Sequence, residues 1–306
     1  MTFELTILGS SSAIPTSEKY PTAHVLNVHE RFFLIDCGEG TQIRLRQFKF
    51  SFDRIRHIFI SHLHGDHFLG LPGFISTRNL LGIRSDLHLY AHSELKRLIQ
   101  PILDHLKREL GFRIVFHPLN FKTSELIYSD SVAEVHSFPL KHSIPCCGFR
   151  FSEKKQLPNL IKEKISRYQI PIRLLQAIKE GAGFTDEDGN VIPHHELSIP
   201  PPSPRSYAFC SDTAYHEPVA EFVKGADLLY HEATFLTELE EWAGKTLHST
   251  AAQAATIARN AEAKKLIIGH FSTRYKDAGP FLLEARAIFP ETEPATDGAT
   301  FRVSRH

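Results

Sequence analysis

Long apolar runs are missing from this chain: none approaches the roughly 18 residues that a membrane-spanning helix requires. Net charge is missing too, since 35 Lys and Arg balance 35 Asp and Glu, so any attraction to a polyanion must come from a local patch. Cysteine is sparse, and Cys37, Cys146, Cys147 and Cys210 show neither C-x-x-C spacing nor the regularity of a disulfide framework. That argues against a cysteine zinc site and for a reducing compartment. The first residues, Met1 to Gly9, run straight into an alternating strand pattern without the basic and apolar regions of a signal peptide. A soluble, cytoplasmic protein is the expectation.

At 306 residues and 42% hydrophobic content the chain can bury a large core, between one big α/β domain and two average ones. Strand-like runs bounded by turn formers recur at 3–9, 23–28, 31–37, 55–61, 87–92, 113–119 and 132–138, then at 207–211, 228–231 and 265–269. Between them lie helical patterns. Ser93 is positioned to cap a helix whose Leu95, Leu98, Ile99, Ile102, Leu103, Leu106 and Leu110 form one apolar stripe, with Pro101 as a kink. A second helix is expected from Ser249 or Thr250 through the alanine-rich 251–261, and a third over 281–289, stopped by Pro290. Strands and helices mixed along the whole length favour α/β layers over separate all-β and all-α domains.

Residues 153–204 break this pattern and read as an inserted arm. Up to Glu180 the segment carries Lys154, Lys155, Lys162, Lys164, Arg167, Arg173 and Lys179 against Glu153, Glu163 and Glu180; the remainder, rich in Gly, Asp and Pro, has acids only. Charge alone fits a solvated helix face beside an acidic loop as well as a phosphate-binding arm.

The densest chemistry is Ser61-His62-Leu63-His64-Gly65-Asp66-His67, which places three imidazoles and a carboxylate directly after the apolar run Ile55 to Ile60. Imidazole nitrogen with carboxylate oxygen suits zinc and its first-row neighbours, and the alternation fits two ions better than one. His142, Asp212 and His270 each follow a strand-like stretch. Alone, each is more often a capped turn or a satisfied core polar group than a ligand. Together they complete two shells: His62, His64 and His142 for one ion, Asp66, His67 and His270 for the other, with Asp212 bridging.

These residues and their order give the chain a resemblance to the ribonuclease Z family of the metallo-β-lactamase superfamily. It rests on Asp36-Cys37-Gly38-Glu39-Gly40-Thr41-Gln42, on the run Phe59 to Gly73, and on Pro139-Leu140-Lys141-His142 and Cys210-Ser211-Asp212-Thr213. Further matches are His231-Glu232-Ala233-Thr234, His248-Ser249-Thr250, His270-Phe271-Ser272-Thr273-Arg274-Tyr275 and Ala295-Thr296-Asp297-Gly298. Two departures stand out: Ser17-Glu18-Lys19-Tyr20 follows Pro15 where an Arg-Asn pair is expected, and the arm lacks an obvious Gly-Pro turn.

The resemblance implies an αββα sandwich of two mixed sheets flanked by helices, one catalytic domain over 1–306 with a substrate-binding arm at 153–204. It implies a dinuclear endoribonuclease, holding two zinc ions or manganese, that removes the 3′ trailer of precursor transfer RNA by hydroxide attack on a phosphodiester. The products would be a 3′-hydroxyl on the transfer RNA and a 5′-phosphate on the trailer. Asp66 would orient or deprotonate the water, and His248, steered by Glu232, would protonate the leaving oxygen. Lys141 and Arg274 would touch phosphates, with Lys162, Lys164 and Arg167 of the arm clamping the RNA. Asp36 would order a ligand or a turn, and His231, His194 and His195 stay outside the site. A homodimer with exchanged arms is implied as well. The alternatives are a phosphodiesterase of the same superfamily acting on small or cyclic diesters, and a metal-stabilised RNA-binding protein without turnover.

Overall fold

Alternating apolar residues build the first strands, β1 (Phe3–Gly9), β2 (Ala23–Val28) and β3 (Arg31–Ile35), whose inward side chains are almost wholly buried. This computed structural model describes residues 2–17, 19–106 and 110–305, the side chain of Leu106 excepted. Further along come β4 (Ile55–Phe59), β5 (Leu87–Ala91), β6 (Ile114–Pro118), β7 (Glu125–Ser129), β8 (Ala133–Leu140) and β9 (Cys146–Glu153). The short β10 (Asn159–Leu160), β11 (Phe184–Thr185), β12 (Val191–Ile192) and β13 (Ser198–Ile199) precede β14 (Ser206–Cys210), β15 (Leu228–Glu232), β16 (Leu266–Gly269), β17 (Thr292–Pro294) and β18 (Thr300–Arg302).

One seven-stranded sheet runs β18-β1-β2-β3-β4-β5-β6 and the other β17-β16-β15-β14-β9-β8-β7. In both, antiparallel and parallel pairings are mixed; β3 to β6 are parallel, as are β14 to β17. The sheets face each other across a shared core in which Phe33 and Phe59 of one meet Phe149 and Phe151 of the other.

The helices in chain order are α1 (Thr41–Gln47), α2 (Gly65–Phe68), α3 (Leu71–Leu80), α4 (Glu94–Leu106), α5 (Lys162–Arg167), α6 (Leu175–Lys179), α7 (His194–Leu197), α8 (Val219–Phe222), α9 (Glu240–Thr246), α10 (Ala251–Asn260) and α11 (Gly279–Ile288). Leu45, Phe74, Leu95 and Ile99 pack the first group on the outer face of the first sheet. The small residues of α10, with Phe281 of α11, cover the second. The layers are therefore helix, sheet, sheet, helix, the sandwich the resemblance implied.

Residues Glu153–Pro204 form a compact unit distinct from the rest of the chain. It has its own small core of Ile170, Ile178, Ile192 and Leu197, under α5, α6 and α7 and the pairs β10–β13 and β11–β12.

Some sequence expectations shift. The α4 stripe is split: Leu95, Ile99 and Leu103 are buried, whereas Leu98 and Ile102 stay 46% and 41% exposed, because they sit on a neighbouring flank of the helix. Leu106's side chain lies outside the described residues. At the start of α4 the Glu94 N–H donates to the His92 ring at 3.2 Å. The helix expected after Ser249 or Thr250 is α10, closed by a capping box in which Thr250 and Gln253 exchange hydrogen bonds. α11 begins two residues before the expected Phe281, with Pro280 in its first turn.

Candidate metal centre

The ligand-bearing residues emerge where strands end. His62 and His64 follow β4, His142 follows β8, Asp212 follows β14 and His270 follows β16, while the single turn α2 supplies Asp66 and His67. Close backbone approach makes this possible. A Cβ on Gly70 would lie 2.0 Å from the Gly38 oxygen, so only glycine lets the α2–α3 junction sit against the loop after β3. Asp36 and His270 take left-handed backbone angles, φ 55° and 62°, an energetic strain that the surrounding packing supports.

His62, His64, His142 and Asp212 present ligand atoms within 4.8 Å of one another, as do Asp66, His67 and His270. In the first group His62 Nε2 and His142 Nε2 each lie 3.1 Å from His64 Nδ1. Asp212 divides its oxygens: Oδ2 lies 3.6 Å from His62 Nε2 and 3.9 Å from His142 Nε2, while Oδ1 lies 3.5 Å from His67 Nε2 and 3.4 Å from His270 Nε2. Asp66 Oδ2 completes the second group, 3.4 Å from His67 Nε2 and 3.5 Å from His270 Nε2. Ligand atoms at about 2.0–2.1 Å from a tetrahedral zinc ion stand roughly 3.3–3.4 Å apart, close to these separations.

Outer partners fix which nitrogen faces inward. Asp36, fully buried, accepts from Ser61 N at 2.7 Å, Ser61 Oγ at 2.9 Å and His67 Nδ1 at 2.7 Å. Since the Ser61 hydroxyl donates to Asp36, His62 Nδ1, 3.0 Å away, is the donor to Ser61. His142 Nδ1 donates to the Leu247 carbonyl at 2.9 Å. Thr234 Oγ1 donates to Glu232 at 2.8 Å and so receives the proton of His270 Nδ1 at 2.9 Å. With their Nδ1 protons committed outward, His62, His67, His142 and His270 turn bare Nε2 lone pairs toward the centre.

The electrostatics ask for positive charge at that point. Burial opposes a charge on His67, yet the Asp212, Asp66 and Asp36 carboxylates raise its pKa well above the ordinary value. Burial likewise opposes the Asp66 charge, and the His67 and His270 rings hold it far below the usual carboxylate range. His67 Nε2, His270 Nε2 and Asp212 Oδ1 are buried without a hydrogen-bond partner. Converging lone pairs, carboxylate charge and orphaned buried atoms fit a pair of divalent cations.

Beside the ligands, the His248 ring lies 5.1 Å from that of His142 and 5.4 Å from that of His270. Its Nδ1 is 2.9 Å from Glu232 Oε1. Burial lowers the His248 pKa, but the Glu232 carboxylate outweighs this and raises it to about 9. Glu232 is itself held by Thr213 N, Ser249 N and Thr234 N. Asp212, His248 and His270 also form a third group with metal-binding spacing; the Glu232 contact gives His248 a different partner.

The remaining predicted residues are dispersed. Lys141 and Arg274 are exposed, the first next to His142 and the second in the loop after His270. Lys162, Lys164 and Arg167 lie on α5 in the separate unit. His231 is buried with Nδ1 bonded to the Glu232 carbonyl at 2.7 Å, and His194 contacts Ser198. The sequence reading had not assigned Ser61, Thr234, the Leu247 carbonyl or Asp297. Asp297 accepts from Ser10 Oγ at 2.7 Å and Tyr20 N at 3.1 Å, closing a loop whose Ala13 N–H reaches Asp66 Oδ2 at 2.9 Å. The Asp-Gly turn before the last strand was the available signal for Asp297.

Residues 3–157 match the family model described as Anti-Pycsar protein Apyc1. The chain is 47% identical over 304 residues to the Ribonuclease Z of Bacteroides thetaiotaomicron, covering 99% of this chain and 96% of that one. Among solved structures, the short form of human tRNase Z superposes with a TM-score of 0.71 at 26% identity, covering 98% of this chain and 99% of that one. The metallo-beta-lactamase fold protein YhfI of Bacillus subtilis gives 0.70 at 15% identity, covering 99% and 100%, a likeness of fold alone.

Proposed function

Since the chain belongs to the ribonuclease Z family, its amino-terminal half falling also within the Apyc1 family, we propose that it is a metal-dependent endoribonuclease trimming the 3′ trailer of precursor transfer RNA. The observation that carries the chemistry is the split Asp212 carboxylate, one oxygen facing each histidine group. His62, His64 and His142 would hold one zinc or manganese ion, Asp66, His67 and His270 the second. Bound there, two such ions supply a water of lowered pKa and neutralise phosphate charge.

The protein's own groups do the rest. Asp66 would orient the attacking water or accept its proton. His248, whose pKa the adjacent Glu232 carboxylate raises, donates a proton to the departing 3′-oxygen, which would otherwise leave as an alkoxide. The transfer RNA then ends in a 3′-hydroxyl and the trailer begins with a 5′-phosphate. Lys141 and Arg274, flanking the ligand loops, contact phosphates. The separately packed residues 153–204, with Lys162, Lys164 and Arg167 on α5, grip the RNA by shape and charge, so binding weakens steeply with salt. A homodimer with exchanged arms is proposed on family resemblance, and sedimentation at working concentration tests it. No helix among the described residues is long and apolar enough to cross a membrane, and a cytoplasmic location suits the substrate.

Deleting residues 153–204 separates this reading from a phosphodiesterase acting on small diesters. Loss of precursor cleavage with retained hydrolysis of bis-p-nitrophenyl phosphate supports the RNA reading. Equal loss, or equal retention, of both activities would count against an RNA-gripping arm.

A further inference from the structure

Trp242 is the only tryptophan in the chain and stands 45% exposed on α9. An aromatic ring of this size loses much favourable burial by staying in water. The exposed Arg274 holds its guanidinium carbon 6.0 Å from the ring centroid, within the range of a cation–π contact.

Both residues are tied to the candidate centre through the backbone. The His248 N–H bonds to the carbonyl of Ala243, the residue after Trp242, at 2.9 Å. α9 ends on Leu247 in a left-handed conformation, φ 57°, and the Leu247 carbonyl orients His142. The loop that carries Arg274 is fastened to the same region by Ser272 N to the Thr234 carbonyl at 3.1 Å and by Leu236 N to Tyr275 Oη at 3.3 Å. Two acids of α9 have partners: Glu241 pairs with Lys245, and Glu240 accepts from Gln253. On α9, whose Ala243 carbonyl holds the His248 N–H, an exposed π-face is therefore edged by the Arg274 cation.

We propose that Trp242 and Arg274 form a stacking platform for the nucleobase of the RNA residue whose 3′-oxygen departs in cleavage. This rests on the endonuclease reading above, in which His248 protonates that oxygen, because the carbonyl next to Trp242, that of Ala243, accepts the His248 N–H and so sets α9 beside the group that serves the leaving oxygen. Every base has a π-face, so stacking tolerates sequence, which suits an enzyme whose substrates share a shape more than a sequence. Arg274 fixes the ring's orientation and offers charge to the adjoining phosphate.

The test is a cycle between protein and substrate. Against an intact precursor, Trp242→Ala should lower kcat/KM by about 5- to 150-fold, the span of base–aromatic stacking, while Trp242→Phe retains most of the activity. An abasic residue immediately 5′ of the cut should cost the wild type a similar factor and cost Trp242→Ala nothing further. With a non-cleavable precursor, the single tryptophan's fluorescence should be quenched on binding, and much less so with the abasic version. An abasic penalty that is undiminished in Trp242→Ala, or full binding without a change in fluorescence, overturns the platform and leaves the endonuclease reading standing. Wild-type protein that neither binds nor cuts the precursor overturns both.

Discussion

At the scale of single residues, a buried carboxylate such as Glu232 is costly unless its oxygens are satisfied, and here backbone N–H groups, Thr234 and His248 supply the partners. Replacing Glu232 with Gln removes the charge that raises His248 to about 9. The alkaline limb of the pH–rate profile, where His248 gives up its proton, should then move to lower pH, and His248→Ala should cost about 10²–10⁴-fold in rate with metal content unchanged. An unmoved limb in Glu232→Gln would remove His248 from the acid role. Asp36 touches His67 directly and His62 through Ser61, so Asp36→Asn should weaken metal binding about 10–100-fold, read by competition with a chelator. The cluster His62, His64, Asp66 and His67 was legible in sequence because histidine and aspartate crowd a strand end without a packing reason, whereas His142, Asp212 and His270, which the fold brings to it, were singled out only in combination. Thr234 and Ser61 were not, because a hydroxyl that passes a proton from imidazole to carboxylate leaves no spacing pattern.

Elements show the same division between pattern and contact. The long alternating strands and the capped α10 were readable from periodicity and a cap residue. β9 was not, because Gly148 reads as a breaker; its Cβ would lie 2.3 Å from the Phe138 ring, so glycine is there to admit a neighbour. β17 and β18, three residues each, are too short to carry a period. Exposure of Leu98 and Ile102 shows that apolar spacing marks a helix but does not settle which flank is covered. Thr250, whose side chain accepts from Gln253 N at 3.2 Å, closes the first turn after His248 and Ser249. Thr250→Ala should therefore destabilise the fold by about 1 kcal/mol, measured by urea denaturation, and more if the His248 loop loosens with it.

Across the whole molecule, two sheets share one aromatic core while their strand ends build the centre, so folding and site assembly are one event. Phe149, fully buried and edge-on to Phe59 at 5.5 Å, joins the sheets. Phe149→Ala should cost about 3–5 kcal/mol, with a lowered urea midpoint. His24 adds a pH dependence: burial first, and positive charge on His67 second, lower its pKa from 6.5 to about 3. It lies edge-on to Phe209 and Tyr230 with both ring nitrogens unpartnered. The unfolded chain binds this proton near pH 6.5 and the folded chain only near 3, so its contribution to stability is lost as pH falls through that window. His24→Phe should flatten the acid side of the stability curve there. The layered sandwich came from the resemblance, since periodicity can specify strands and helices but not which sheet a strand joins.

The most direct measurement is nucleotide-resolution mapping of the products from a 3′-extended precursor transfer RNA, with His64→Ala alongside. The account predicts a single cut at the end of the mature transfer RNA, a 3′-hydroxyl upstream and a 5′-phosphate downstream, and no cut by the variant. An intact precursor after incubation with metal-loaded protein that still hydrolyses a small diester would contradict it.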